Sequence, residues 1–147
     1  MQRGMSGNLE KAVALLKTGG FTLAAVGGGD NITSREKGVK PLLNLLDGRK
    51  NLRGFSAADK VIGKAAAFLY VLLSPEEIYA DVISAPALEV LERYGIKIRY
   101  GVLADAIRNR DNTGFCPMET AVLNDADPES ALVHIREKLR KITAASP

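Results

Sequence analysis

The stretch over residues 54–73 constrains the fold most, because it is polar at its start and apolar almost all round afterwards. Ser56, followed three residues later by Asp59, is typical of a helix N-terminus, where a hydroxyl oxygen accepts from a backbone N–H and a carboxylate lies at the positive end of the helix dipole. After Lys64 no polar stripe interrupts the pattern, so other elements must cover the later turns. We therefore predict one buried helix over 56–73, with Lys60 and Lys64 one turn apart at its solvent-exposed start.

Length and composition favour one globular domain over residues 1–147, because 46% of the residues are apolar. No uncharged apolar run reaches the roughly 18 residues that a membrane span needs, and the first residues do not resemble a signal segment. We therefore expect a cytoplasmic protein with no membrane contact. A single cysteine, Cys116, and a single histidine, His134, leave no internal disulfide and no multi-cysteine zinc site. Without a visible carboxylate cluster, we expect neither a metal nor a cofactor.

The net charge of +3 is unevenly distributed along the chain. Residues 1–64 hold eleven Lys/Arg against five Asp/Glu, whereas residues 65–147 hold nine against twelve, so the first part carries +6 and the second −3. The cations are dispersed, aromatic residues are few, and no recognised nucleic-acid-binding motif is present. These features argue against polymeric nucleic acid as a partner and favour a small anionic ligand.

Apolar segments separated by glycine and proline predict an α/β fold. Residues 21–26 and 32–36 are typical of an antiparallel hairpin. Residues 77–83, a helix that Ser84 begins, and residues 96–100 follow one another with short links, which implies a parallel, right-handed crossover. The remaining predictions are a helix capped by Ser6 or Asn8, a helix over 41–46, a helical turn or short strand over 101–107, a loop over 109–119 and a last helix from 128 to about 144.

The expected binding site lies at the carboxyl ends of the parallel strands, where helix N-termini direct free N–H groups into one crevice. The two helix starts and the loop over 109–119 are expected to meet there. The candidate ligand-binding residues are Lys60, Lys64, Ser84, Asn109 and Arg110, and the candidate catalytic residues are Cys116, Glu119 and Asp59.

Each candidate also has a purely structural interpretation. Asp59 and Ser84 suit helix caps, and Cys116 suits a small buried apolar side chain. Alternatively, the cationic neighbour Arg110 favours a reactive thiolate at Cys116, with Glu119 orienting it or accepting a proton. The sequence leaves both interpretations open.

Three stretches, over residues 58–67, 84–91 and 109–119, resemble a small bacterial family of uncharacterised domains whose fold is similar to cytidine deaminase. The resemblance covers most of residues 8–125. It implies a three-layer α/β/α sandwich with a mixed sheet that includes the N-terminal antiparallel hairpin.

Cytidine deaminases hold zinc with His-x-Glu or Cys-x-Glu at the start of the central helix and Pro-Cys-x-x-Cys at the start of the next. The corresponding starts here are taken as Ala57-Ala-Asp-Lys60 and Ser84-Ala-Pro-Ala87, which contain no zinc ligand set. Hydrolytic deamination by a metal-bound hydroxide is therefore not expected. A zinc-free transformylase domain of the same superfamily indicates, by analogy, that the crevice can serve other chemistry.

We therefore expect a metal-independent, deaminase-like domain that binds a small anionic or nucleotide-like ligand. One alternative is an enzyme with Cys116 as nucleophile and Glu119 or Asp59 in proton transfer. Another is a structural or partner-binding homo-oligomer, because deaminase-like domains associate through their helices.

Overall fold

A computed structural model describes residues 6–107 and 116–145. Within these ranges one sheet contains the strands β1 (Leu23–Gly27), β2 (Asp30–Ser34), β3 (Ser56–Ile62), β4 (Glu77–Ser84) and β5 (Lys97–Ala104). The helices are α1 (Gly7–Gly19), α2 (Lys40–Asp47), α3 (Lys64–Leu73), α4 (Ala85–Arg93), α5 (Pro117–Ala121) and α6 (Pro128–Ala145).

The sheet is open and mixed, with the strand order β2-β1-β3-β4-β5. β1 pairs antiparallel with both β2 and β3, whereas β3, β4 and β5 run parallel. The predicted hairpin and the predicted parallel crossover through α4 are therefore confirmed. Residues 101–107 are predicted to form either a helical turn or a short strand, and their first part continues β5, which runs to Ala104.

Alternate residues of β1 face two different cores. Ala24 and Val26 pack with Ala12 and Leu16 of α1, whereas Leu23 belongs to the larger core that contains α3. In that larger core α3 contacts α2, α4, α5 and α6. The sheet therefore lies between α1 on one side and the α3 group of helices on the other.

The prediction of one helix over 56–73 is wrong in its first half. Ser56–Ile62 is the central strand β3, and α3 begins only at Lys64, after Gly63. The supposed Ser56–Asp59 cap does not exist, because both residues pair in the sheet ladder. Lys60 and Lys64 are consequently not one helical turn apart. The second half of the prediction is confirmed, since α3 is buried along most of its length.

The other helix predictions are confirmed with small shifts of their ends. Ser6, one of the two residues proposed to cap the first helix, accepts a hydrogen bond at its Oγ from the Leu9 backbone N–H over 3.1 Å. The predicted loop over 109–119 falls partly outside the described residues, and its last part forms α5. Of the helices in the described ranges, none is long and apolar enough to cross a membrane.

Candidate functional site

A cavity of about 420 Å³ lies at the carboxyl end of β3, beside the first turn of α3. This is the edge at which open α/β sheets bind their ligands. β1, β3, α2, α3 and the segment around α5 form its walls. Most of the lining is apolar. The lining residues with polar side chains are Thr22, Lys37, Asp59, Lys60 and Glu119, together with the thiol of Cys116.

Asp59 is a half-buried carboxyl that lines this cavity. Its Oδ2 accepts a hydrogen bond of 2.6 Å from the hydroxyl of Tyr70, and its Oδ1 accepts one of 3.3 Å from the backbone N–H of Val61. Burial raises the pKa of Asp59 from 3.8 to about 7, although these hydrogen bonds act in the opposite direction. Near neutral pH the carboxyl is thus present in both protonation states, and it can either donate or accept a proton.

The hydroxyl of Tyr70 is a polar group inside the apolar helix α3, and it is tolerated there because it donates a hydrogen bond to Asp59. Its side chain is fully buried, and burial together with the neighbouring Asp59 raises the pKa of the phenol. The phenol therefore stays protonated and donates to the carboxyl. Sequence reasoning did not single out Tyr70, although a buried tyrosine hydroxyl normally requires a partner and so indicated that a polar group lies nearby.

Glu119 caps α3 from another part of the chain. Its Oε1 accepts from the backbone N–H of Lys64 over 2.9 Å, and its Oε2 accepts from that of Ala65 over 3.1 Å. This bidentate contact needs the glycine at position 63, because a Cβ there would lie 2.5 Å from Oε2. Glu119 thus lines the cavity, but both of its oxygens already satisfy the free donors at the helix N-terminus.

The two lysines have different surroundings. Lys60 is exposed and lines the cavity, and exposed Lys37 lines it as well. Lys64 instead directs its Nζ to the backbone carbonyl of Leu123, over 3.0 Å, and lies 5.8 Å from the centre of the Phe68 ring. Lys60 therefore lies at the cavity, whereas Lys64 joins α3 to the turn after α5.

Of the remaining candidates within the described residues, Cys116 lines the cavity and Ser84 does not. Ser84 is buried and caps α4, accepting at Oγ from the backbone N–H of Ala87 over 3.2 Å, and it does not line the cavity. Cys116 is half-buried, lines the cavity and precedes α5. Asn109 and Arg110 lie outside the described residues. The structure thus brings Asp59, Lys60, Cys116 and Glu119 to one cavity.

No group of three or more His, Cys, Asp or Glu side chains in the described ranges is placed to hold a metal ion. Because the central helix begins later than predicted, a different stretch corresponds to the zinc-binding helix start of deaminases. The start of the central helix is Gly63-Lys-Ala-Ala66 rather than Ala57-Ala-Asp-Lys60. Neither this stretch nor Ser84-Ala-Pro-Ala87 contains histidine, cysteine or a carboxylate. These residues do not fit a zinc ion, and Glu119 occupies the helix N-terminus instead.

His134 belongs to a separate cluster before and within α6. Its Nδ1 lies 2.8 Å from Oδ2 of Asp125, and the hydroxyl of Ser130 donates to Oδ1 of the same carboxylate over 2.6 Å. The hydrogen bond with Asp125 raises the pKa of His134. Burial disfavours the charge on Asp125, but the bonds from Ser130 and His134 outweigh it and lower the pKa of Asp125. The cluster fixes the turn that leads into α6.

Comparison with known proteins gives a family but no activity. The family described as a domain of unknown function (DUF1893) matches residues 11–139. The fold is similar to the crystal structure of a DUF1893 family protein (TM1506) from Thermotoga maritima, with a TM-score of 0.82. The two sequences are 33% identical, and the match covers 96% of this chain and 95% of that one. No curated protein matches this sequence.

Proposed function

The chain belongs to the DUF1893 family, and we propose that its cavity at the carboxyl end of β3 binds a small, nucleotide-like ligand that carries an anionic group. One observation carries the proposal. Asp59 lines a mainly apolar cavity of about 420 Å³, and burial raises the pKa of its carboxyl to about 7. Sites for small molecules have this character, with apolar walls and a few polar groups that fix orientation. A planar heterocycle matches it, because an amino or ring N–H group can donate to the carboxyl while the ring contacts the walls.

The lysines define the orientation of the ligand. Lys60 and Lys37 line the cavity and are exposed, so they lie where it meets solvent. A phosphate or carboxylate is costly to bury without a partner, whereas a lysine ammonium at the mouth attracts it as a point charge. The heterocycle therefore enters first, toward Asp59, and the anionic group remains near the two lysines.

The proposal includes a cytidine deaminase-like fold that works without zinc. The parallel strands β3, β4 and β5, with α3 and α4 beginning at their carboxyl ends, support this comparison. In this arrangement the carboxylate of Glu119 takes the place at the start of α3 where a deaminase carries a zinc-binding motif. The site is then suited to ligand recognition by hydrogen bonds and charge, and not to metal-assisted hydrolysis.

Thermal unfolding with a panel of nucleosides, nucleoside monophosphates and inorganic phosphate tests the proposal. We expect a monophosphate to stabilise the protein more than its nucleoside, and phosphate alone to have the least effect. A free ligand concentration of 100 times Kd corresponds to about 2.7 kcal/mol of stabilisation. Asp59→Asn is expected to weaken the response to nucleoside and monophosphate alike, whereas Lys60→Ala should reduce only the additional effect of the phosphate, because Lys37 remains.

Two variants serve as matched controls. Asp30→Asn and Lys11→Ala alter exposed residues on β2 and α1, outside the cavity, and should respond like the wild type. If no compound in the panel stabilises the protein, or if Asp59→Asn and Lys60→Ala respond like their controls, the proposal is wrong.

A second candidate function is an enzyme in which Cys116 acts as nucleophile. One observation favours it, because Cys116 shares the cavity with Asp59, a carboxyl able to accept a proton near neutral pH. Alkylation of Cys116 by iodoacetamide at pH 7 should then be faster than that of a free cysteine, and slower in Asp59→Asn. Alkylation at the rate of free cysteine would exclude this mechanism.

A further inference from the structure

The two edges of the sheet have different surfaces. β2 is an edge strand of five residues, and its exposed residues, Asp30, Asn31 and Thr33, are polar. β5, at the opposite edge, has eight residues and exposes Tyr100, Val102 and Leu103, with exposed fractions of 41%, 56% and 48%. A long edge strand with exposed apolar side chains is a template for pairing with another strand.

The apolar surface of β5 continues across the sheet toward the cavity. Val102 pairs with Val82 of β4, and Val82 pairs with Val61 of β3. Val61 is 46% exposed and lines the cavity. The three valines therefore form a row from the cavity to the β5 edge, and in the described part of the chain no strand lies beyond that edge.

We propose that β5 pairs antiparallel with β5 of a second copy of this chain, around a two-fold axis at Gly101. In this register Tyr100 lies opposite Val102 of the second copy, so these two exposed apolar side chains cover one another, whereas Leu103 lies opposite Arg99. A two-fold axis makes the interface self-complementary, and each such contact occurs twice. The two sheets join into one continuous sheet, and the valine row meets the second copy at its outer end.

Charge complementarity supports a second copy as the occupant. The same register places exposed Lys97 opposite the exposed Asp105 of the second copy, again twice. A parallel, in-register pairing would instead place Lys97 beside Lys97, and like charges directly opposite each other are destabilising. The interface differs from the helix-mediated association that the resemblance to deaminase-like domains implies, and it does not depend on the proposed ligand.

Sedimentation equilibrium measures this association. The wild type is expected to have twice the chain mass of 15.7 kDa. Lys97→Asp and Asp105→Lys should each raise the dimer dissociation constant about tenfold or more, because like charges then face each other. The double variant Lys97→Asp/Asp105→Lys should restore the wild-type constant, which a merely structural effect of either residue would not do.

A lysine in the apolar centre of the strand gives a second test. Val102→Lys should produce a monomer, whereas Thr33→Lys, a matched change on the β2 edge, should leave the dimer intact. Circular dichroism shows whether each variant folds. If Val102→Lys does not fold, the variants at Lys97 and Asp105 test the proposal. A monomeric wild type, a dimer that survives Val102→Lys, or a double variant without rescue would each overturn the proposal.

Discussion

Replacing Asp59 with asparagine should remove a pH dependence of stability that the wild type carries. Burial raises the pKa of Asp59 from 3.8 to about 7 in the folded protein, whereas unfolding exposes the carboxyl to water. Between these two pKa values the folded state holds the proton more tightly than the unfolded state does. The free energy of unfolding therefore falls as the pH rises through this window, and it falls no further above the folded pKa.

The size of the effect follows from the two pKa values. A shift from 3.8 to about 7 corresponds to about 4 kcal/mol, at roughly 1.36 kcal/mol for each pKa unit. Asparagine does not ionise, but its single oxygen replaces two that accept from Tyr70 and Val61, and one lost hydrogen bond costs about 1 kcal/mol. The variant is thus expected to be about 1 kcal/mol less stable than the wild type below about pH 3, where the carboxyl is protonated in both states, and about 3 kcal/mol more stable above about pH 7.

Urea unfolding at a series of pH values, followed by far-ultraviolet circular dichroism, measures this crossing. The difference between wild type and variant cancels the titration of all other groups, provided that they are unaffected by the substitution. Asp30→Asn changes an exposed carboxyl on β2 and should give a difference that is flat with pH. A similarly flat difference for Asp59→Asn would refute the reasoning, since the carboxyl would then pay no penalty for ionisation.

Three further predictions concern the contacts around the helices. Gly63→Ala places a Cβ 2.5 Å from the Glu119 carboxylate; it should lower the free energy of unfolding by about 2 kcal/mol, and by much less in a Glu119→Ala background. Equal losses in both backgrounds, measured with urea, would show that Glu119 is not the obstacle. Ser84→Ala removes the buried cap of α4 and should cost about 1 kcal/mol in thermal unfolding; an unchanged midpoint would contradict this. His134, whose pKa is raised by Asp125, should titrate by NMR above 6.5 and move toward 6.5 in Asp125→Asn, and a midpoint insensitive to that change would rule out the pairing.

Local patterns predicted most of the elements, but they missed the central strand. The hairpin and the crossover that leads from β4 through the Ser84 cap follow from turn residues and capping, which act over a few positions. β3 does not carry the usual strand composition, because Ala57 and Ala58 are small residues and both are completely buried. Ala57 packs in the core that contains α3 and Ala58 in the core that contains α1. Alanine favours helix locally, so only pairing with β1 and β4 establishes this strand.

The composition of the candidate site was predicted better than its geometry. One cavity is lined by Asp59, Lys60, Cys116 and Glu119. The sequence predicted this grouping because residues shortly before a helix and residues in its first turn approach the same edge of the sheet. The roles predicted for Lys64 and Glu119 from their spacing differ from their contacts in the structure. Lys64 and Glu119 contact backbone groups that only the folded chain brings near. The hydrogen bond from Tyr70 to Asp59 likewise depends on how α3 packs on the sheet.

The central claim, that the β3 cavity binds a nucleotide-like ligand, is tested most directly by NMR of the isotope-labelled protein. The nucleoside monophosphate that stabilises the protein most is titrated into wild type and into Asp59→Asn. We predict that the backbone amide signals of Thr22, Val61 and Ala65, which line the cavity, shift in the wild type and respond only weakly in the variant. Shifts confined to residues outside the cavity, or equal shifts in both proteins, would contradict the claim.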